Sequence, residues 1–344
     1  MKCLEMRPTP AGRGPGLQDT IGRERLQILI AMLVFLAIVP SCRRNETPLP
    51  AAAAPHTPAP VVEREEPPVI HAAAEPGRPP FDGLSEPRDG AVDDSGRIWI
   101  ADFGHSRLRL FDRDGGSLGG WGGRGNGTFG FHDLSGVAVR KEDLYVADTW
   151  NGRVQHFTTA GAWKGTATGM FGPRGVAVGP DGRVWVTDTG NHQVRVYDAA
   201  LERPETIGKR GSGPSEFASP VGIGVGPSGD VYVADTGNRR VVVLDSTGKL
   251  KSSWSFPGWE EAVEPHVEID VDESLFVTDP AAAAEVIHFD RTGRILQRWA
   301  TGSNGEKLSL PSGLALDRAA RILYVINRGN GTVSRIAAGG GGQQ

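Results

Sequence analysis

Residues 173–194 read Pro-Arg-Gly-Val-Ala-Val-Gly-Pro-Asp-Gly-Arg-Val-Trp-Val-Thr-Asp-Thr-Gly-Asn-His-Gln-Val, and the chain repeats this sentence. The block beginning at Pro220 has the same parts: a Gly-Ile-Gly-Val run, Gly229-Asp230, Val231–Asp235, then Thr236-Gly237-Asn238. Earlier copies pass through Ile98–Asp102 and Leu144–Asp148, later ones through Leu275–Asp279 and Leu323–Asn327. The equivalent Asp or Asn positions are 102, 148, 188, 235, 279 and 327. Their spacing of 40–48 residues matches one four-stranded propeller blade, and six copies imply six blades. Within a copy, a small apolar inner strand precedes a turn such as Asp181-Gly182, where glycine tolerates positive φ. A β-branched and aromatic second strand, an Asp-Thr-Gly-Asn turn, a third strand and a short outer strand follow. Trp121, Trp254 and Trp299 fall in outer strands and are expected to pack between blades.

The last copy ends after Val333–Ile336 in a Gly-rich tail, residues 339–344. An open edge is an aggregation hazard. Val69–Ala72 or a segment close by, just ahead of the first blade, is the expected strand that completes the sixth. The fold class is therefore all-β, a six-bladed propeller over residues 81–338.

The N-terminal part reads differently. Arg23 and Arg25 precede an apolar run from Ile28 to Val39, too short to span a bilayer but suited to a signal peptide. Val39-Pro40-Ser41-Cys42 resembles a bacterial lipobox, with residues 1–42 as the signal and Cys42 as the lipidated first residue. The alternatives are an uncleaved anchor and ordinary signal peptidase cleavage. Residues 43–80 are Pro- and Ala-rich and cannot bury enough apolar surface to offset ordering, so they read as a spacer. The expected location is the cell envelope, periplasm or surface.

Both cysteines, Cys3 and Cys42, precede the repeats, so the folded part has no disulfide and no thiol nucleophile. From residue 81 onward, 28 Lys and Arg face 33 Asp and Glu. That balance argues against a sequence-independent nucleic-acid binder, which needs a basic surplus.

The repeats, and the string Asp188-Thr189-Gly190-Asn191-His192-Gln193 above all, resemble the NHL repeat over about 260 of the 344 residues. In such propellers the loops between second and third strands share one face with the inter-blade loops. That resemblance points to Arg88, His105, Trp150, Arg174, His192, Arg239, His266 and Arg328 as candidate binding residues. Trp150 replaces the glycine found at Gly104, Gly190, Gly237 and Gly329, and a bulky exposed aromatic is a reasonable contact anchor. The repeated Asp residues, with Arg107, Arg153 and Arg240 five residues on, are expected to brace their turns. The family also includes a zinc-dependent amidating lyase whose histidines follow inter-blade prolines. Of the positions aligned with them here (Arg88, Ser135, Arg174, Val221, His266, Ser312), only one is histidine, and three imidazoles are needed. Glu264 and His266 are the candidates should a divalent metal bind, and no cofactor or catalytic residue is otherwise predicted. The expected function is a monomeric, tethered module that recognises an envelope protein, peptide or glycan. The alternative is a metal-dependent periplasmic lyase or hydrolase, lactonase-like or amidating-lyase-like, at the channel mouth.

Overall fold

The structure is a computed structural model, and it describes residues 79–338 apart from 257, 260–263 and 282. The described residues fall within the second of two compact units, 63–344. Five sheets have four strands and the last has three, all antiparallel between consecutive strands. These are the six blades, at 90–122, 134–167, 173–207, 220–255, 267–299 and 311–337. Among the described residues no helix is long and apolar enough to cross a membrane.

Each second strand is buried on both faces because a blade is covered by neighbours on either side; Ile98–Asp102, Val184–Asp188 and Val231–Asp235 are buried throughout. The side chains alternate between the two neighbours. Trp99, Ala101, Leu108 and Trp121 of blade 1 pack with Val137, Val146 and Phe157 of blade 2. Trp121 meets Trp99 and Phe157 edge-on, with ring centroids 5.3 and 5.6 Å apart. Trp254 packs toward Phe289 of blade 5, and Trp299 packs into the layer holding Leu314 and Val325 of blade 6. All three outer-strand tryptophans thus lie between blades. At about 1.5–3 kcal/mol for each buried large apolar side chain, these layers outweigh surface ion pairs, worth about 0–1 kcal/mol each.

The repeated aspartates work as staples. Asp148 Oδ1 accepts the His132 N–H at 2.7 Å, sixteen residues back in the loop entering the blade. Asp102, Asp188 and Asp235 do the same for Ser85, Phe171 and Ala218, and Asn327 does so for Ser309. The second carboxylate oxygen takes the arginine five residues on: Arg107 at 2.8 Å, Arg153 at 2.7 Å and Arg240 at 2.8 Å. Arg153 then donates to the carbonyls of Asn126, Gly127 and Gly130, so one buried charge orders a whole inter-blade loop.

Blade 6 meets blade 1 through Arg113, whose Nε donates to Asp317 at 2.7 Å and whose carbonyl accepts from Tyr324 and Arg335. Phe81 fills the same seam against Phe111 and Tyr324. The strand Thr332–Ala337 ends the described blade 6, with Ser303 N donating to Arg335 O at its outer side. The expected closing strand, Val69–Ala72, lies outside the described residues, as do the signal region, Cys42 and nearly all of the spacer.

Candidate functional site at the two ends of the channel

The six inner strands line a central channel, and their register decides what stands where. Gly90, Val137, Val176, Ile223, Val267 and Leu314 pair with the residue two before each turn-opening Asp or Asn. The residues immediately before them are Asp89, Gly136, Gly175, Gly222, His266 and Gly313. A Cβ on any of the four glycines would run into the backbone of the next blade, at Arg174 O, Val221 O, Pro265 O and Arg88 O respectively. This corrects the alignment on the inter-blade proline. His266 does not match Arg88 and Arg174; it occupies the glycine level, and Pro265 takes the arginine level. Blade 5 slips because Pro265 lies fourteen residues before its turn-opening Asp279, whereas Pro173 lies fifteen before Asp188.

Asp89 and His266 are therefore the two side chains at a level where the other blades have none, and they pair. His266 Nδ1 lies 2.9 Å from Asp89 Oδ1, and Asp89 Oδ2 accepts the Val137 N–H at 3.0 Å. The pair reaches from blade 5 past blade 6 to blade 1 and on to blade 2. Burial works against a charged imidazole, but the charge and hydrogen bond of Asp89, with the charge of Glu268, hold His266 above its usual value. The His266 backbone N–H is fixed by Thr278 Oγ1 at 2.7 Å.

On the loop side of this pair, Arg88, Ser135, Arg174, Val221, Glu264, His266 and Ser312 surround a pocket of about 30 Å³. Arg88 and Arg174 both form ion pairs with Glu264, and Arg328 Nη1 stands 3.9 Å from the same carboxylate. Glu86 lies 4.0 Å from Arg88 and 3.8 Å from Arg328. Arg88 stacks over Phe103 at 4.0 Å, and its buried Nε has no hydrogen-bond partner among the described residues. Burial, and then the positive charge of Arg328, draw the Arg174 guanidinium down to about 10. Three guanidiniums share two carboxylates here.

Four of the sequence candidates thus converge at the axis: Arg88, Arg174, His266 and Arg328. The other four sit farther out, one on each second-to-third-strand turn of blades 1–4. His105 is exposed and pairs with Asp102 at 3.0 Å. Trp150 is 56% exposed. His192 and Arg239 close their turns in the left-handed conformation, φ 55° and 52°, where blade 2 has Gly152. His192 is only half-buried rather than free on the surface, and its Nδ1 accepts the Ser219 N–H at 2.9 Å. Burial and then Arg210 lower its pKa, in keeping with a neutral acceptor ring. Phe171, 62% exposed in the loop entering blade 3, is a further aromatic on this face that the turn motif alone did not single out.

The larger space lies on the opposite side. A pit of about 410 Å³ runs from His266 past Ala91, Ala138, Ala177 and Gly224 to the first-to-second-strand turns, ending among Arg140, Pro180, Pro227, Val271 and Arg318. The expected binding mouth is the narrow end of the channel, and the open end faces away from it. Among the described residues, no group of three His, Cys, Asp or Glu side chains is placed to hold a metal.

The NHL repeat family matches residues 131–157, 172–197 and 217–244, which hold the first three strands of blades 2, 3 and 4. No curated protein sequence matches the chain. Solved structures resemble it in fold. A gluconolactonase from Xanthomonas campestris aligns at 16% identity and a TM-score of 0.57, covering 79% of this chain and 95% of its own. Virginiamycin B lyase from Staphylococcus aureus aligns at 14% identity and 0.51, covering 75% and 86%. An auxiliary nutrient binding protein from Bacteroides thetaiotaomicron aligns at 14% and 0.57, covering 78% and 75%. At such identities the likeness establishes the fold alone.

Proposed function

We propose that this chain, an NHL-repeat protein forming a six-bladed β-propeller, is a binding module of the cell envelope that takes an acidic peptide segment of a partner protein on its loop face. One observation carries the reading: Arg88, Arg174 and Arg328 crowd the axis with fewer carboxylates than guanidiniums. A partner carboxylate relieves that excess, and arginine forks hold carboxylates bidentately. Trp150 and Phe171, exposed on the same face, supply the large rigid contact area that anchors interfaces. The apolar run 28–39 with Cys42 supports export and a lipid tether, and residues 43–80 supply the reach for presentation. The slightly acidic balance of the repeats weighs against nucleic acid.

The metal-dependent lyase or hydrolase reading meets a specific obstacle. Its candidate ligands are already engaged, Glu264 by two arginines and His266 by Asp89. The full chain, titrated with a panel of Asp- and Glu-rich peptides, is expected to bind in a salt-sensitive way. The Trp150→Ala, Arg174→Met double variant should bind at least tenfold more weakly. Undiminished binding by that variant would sink the proposal, and one tightly held divalent ion per chain would return the enzyme reading to first place.

A further inference from the structure

The pit on the far side of the Asp89–His266 pair has a composition that the loop-face reading does not use. Its inner-strand level next to His266 is small in five blades: Ala91, Ala138, Ala177, Gly224 and Ala315. Blade 5 places Glu268 there instead. Side chains two apart on a strand share a face, so His266 and Glu268 lie on one side of that strand, and both line the pit. Glu268 Oε1 accepts from Arg318 Nη2 at 2.7 Å. Burial raises the Glu268 carboxyl above its usual value, against the pull of Arg318 and His266. At the mouth, Arg140 uses Nη2 on Pro180 O at 2.9 Å, and Arg318 donates to Ile269 O as well as to Glu268. Each guanidinium has five donors, so both keep donors to spare.

A closed hydrophobic pocket would not place two arginines and a carboxylate around small side chains and a capped floor. We infer that the pit is a second ligand site, for a small monocarboxylate that also carries a hydroxyl or ammonium group. The carboxylate is taken by Arg140, on the blade 2 and 3 side of the mouth, across the pit from the Arg318–Glu268 pair on blades 6 and 5. The donor group reaches Glu268 on the wall, which repels a second anionic group and so selects against dicarboxylates and phosphates. The pit volume of about 410 Å³ admits a molecule of this size with its water. The site stands apart from the loop-face arginines, with only His266 common to the two spaces.

The test uses the full chain and three probes, glycerate, serine and propanoate, in calorimetric titrations. Saturable binding of glycerate or serine is expected, with propanoate at least tenfold weaker because it offers Glu268 nothing. Arg140→Met, at the half-buried rim, should lower the affinity about tenfold or more with an unchanged unfolding midpoint. Glu268→Gln should erase the preference over propanoate, and Arg174→Met on the other face should leave all three titrations unchanged. Absence of saturable binding by all three probes, or full-strength binding by Arg140→Met, would overturn the site without touching the loop-face proposal.

Discussion

Blades 2 and 4 repeat one local solution, and blade 5 departs from it at three points. In blades 2 and 4 a fully buried Asp holds the entering loop and is neutralised by an arginine directly across the hairpin, Arg153 or Arg240. In blade 5 the residue across from Asp279 is Glu285, which turns outward to pair with Arg298. In blades 2 and 4 the narrow level of the channel is glycine; in blade 5 it is His266. In blades 2 and 4 the next small position is Ala138 or Gly224; in blade 5 it is Glu268. Repetition marks what each blade needs to stand, because the same packing problem recurs six times. Departure marks where the ring as a whole has something else to do, and here two of the three departures, His266 and Glu268, stand at the axis.

The largest expected effect tests the staple. Asp148→Ala removes a buried carboxylate that serves His132 N, Asn151 and Arg153, and should cost about 3–5 kcal/mol, as breaking a buried pair does. Glu285→Ala, at the same cross-strand place in blade 5, should cost about 1 kcal/mol or less. Both are read from urea midpoints, and equal losses would erase the distinction between the blades. Next comes the glycine level. Gly136→Ala sets a methyl against the Arg174 carbonyl, which is backbone and cannot turn aside, so a loss of about 1–3 kcal/mol or more is expected. His266→Gly restores the residue that four other blades have there; a smaller loss than that of Gly136→Ala would show that blade 5 carries its histidine for reasons other than folding.

The smallest effect is a pH slope. The folded pKa of His266 lies above its usual value, so the folded state keeps the proton to higher pH than the unfolded chain. The stability it contributes is therefore fully present below about pH 6.5, the ordinary histidine value, and is lost as pH rises through the folded value. Unfolding midpoints measured from pH 5.5 to 8.5 should fall more steeply for the wild type than for His266→Asn. Parallel curves would remove the Asp89–His266 pair as a titrating unit.

Much of this was legible in the linear chain. The period of 40–48 residues, the turn aspartates and the arginines five residues later are local regularities, and local hydrogen bonding realises them. The outer-strand tryptophans were legible too, since a large aromatic on a strand covered by a neighbouring blade has one place to go. The departure at Asp89 was visible as a missing glycine in Arg88-Asp89-Gly90, once the copies are aligned on their second strands rather than on proline. Arg140 and Arg318 gave no signal, because turn residues at the far rim look like ordinary solvated charges.

What the sequence by itself determined is the blade: its length, its strand pattern, its staples and the number of its copies, all set by spacing and side-chain preference within some forty residues. What only the tertiary structure decided is the axis. Glu264 meets Arg88 and Arg174 across 176 and 90 positions of sequence (264 − 88 and 264 − 174), and His266 reaches Asp89 across 177 (266 − 89). Those meetings depend on six inner strands closing at one radius, where a single residue of slip in blade 5 changes which side chain points at the channel.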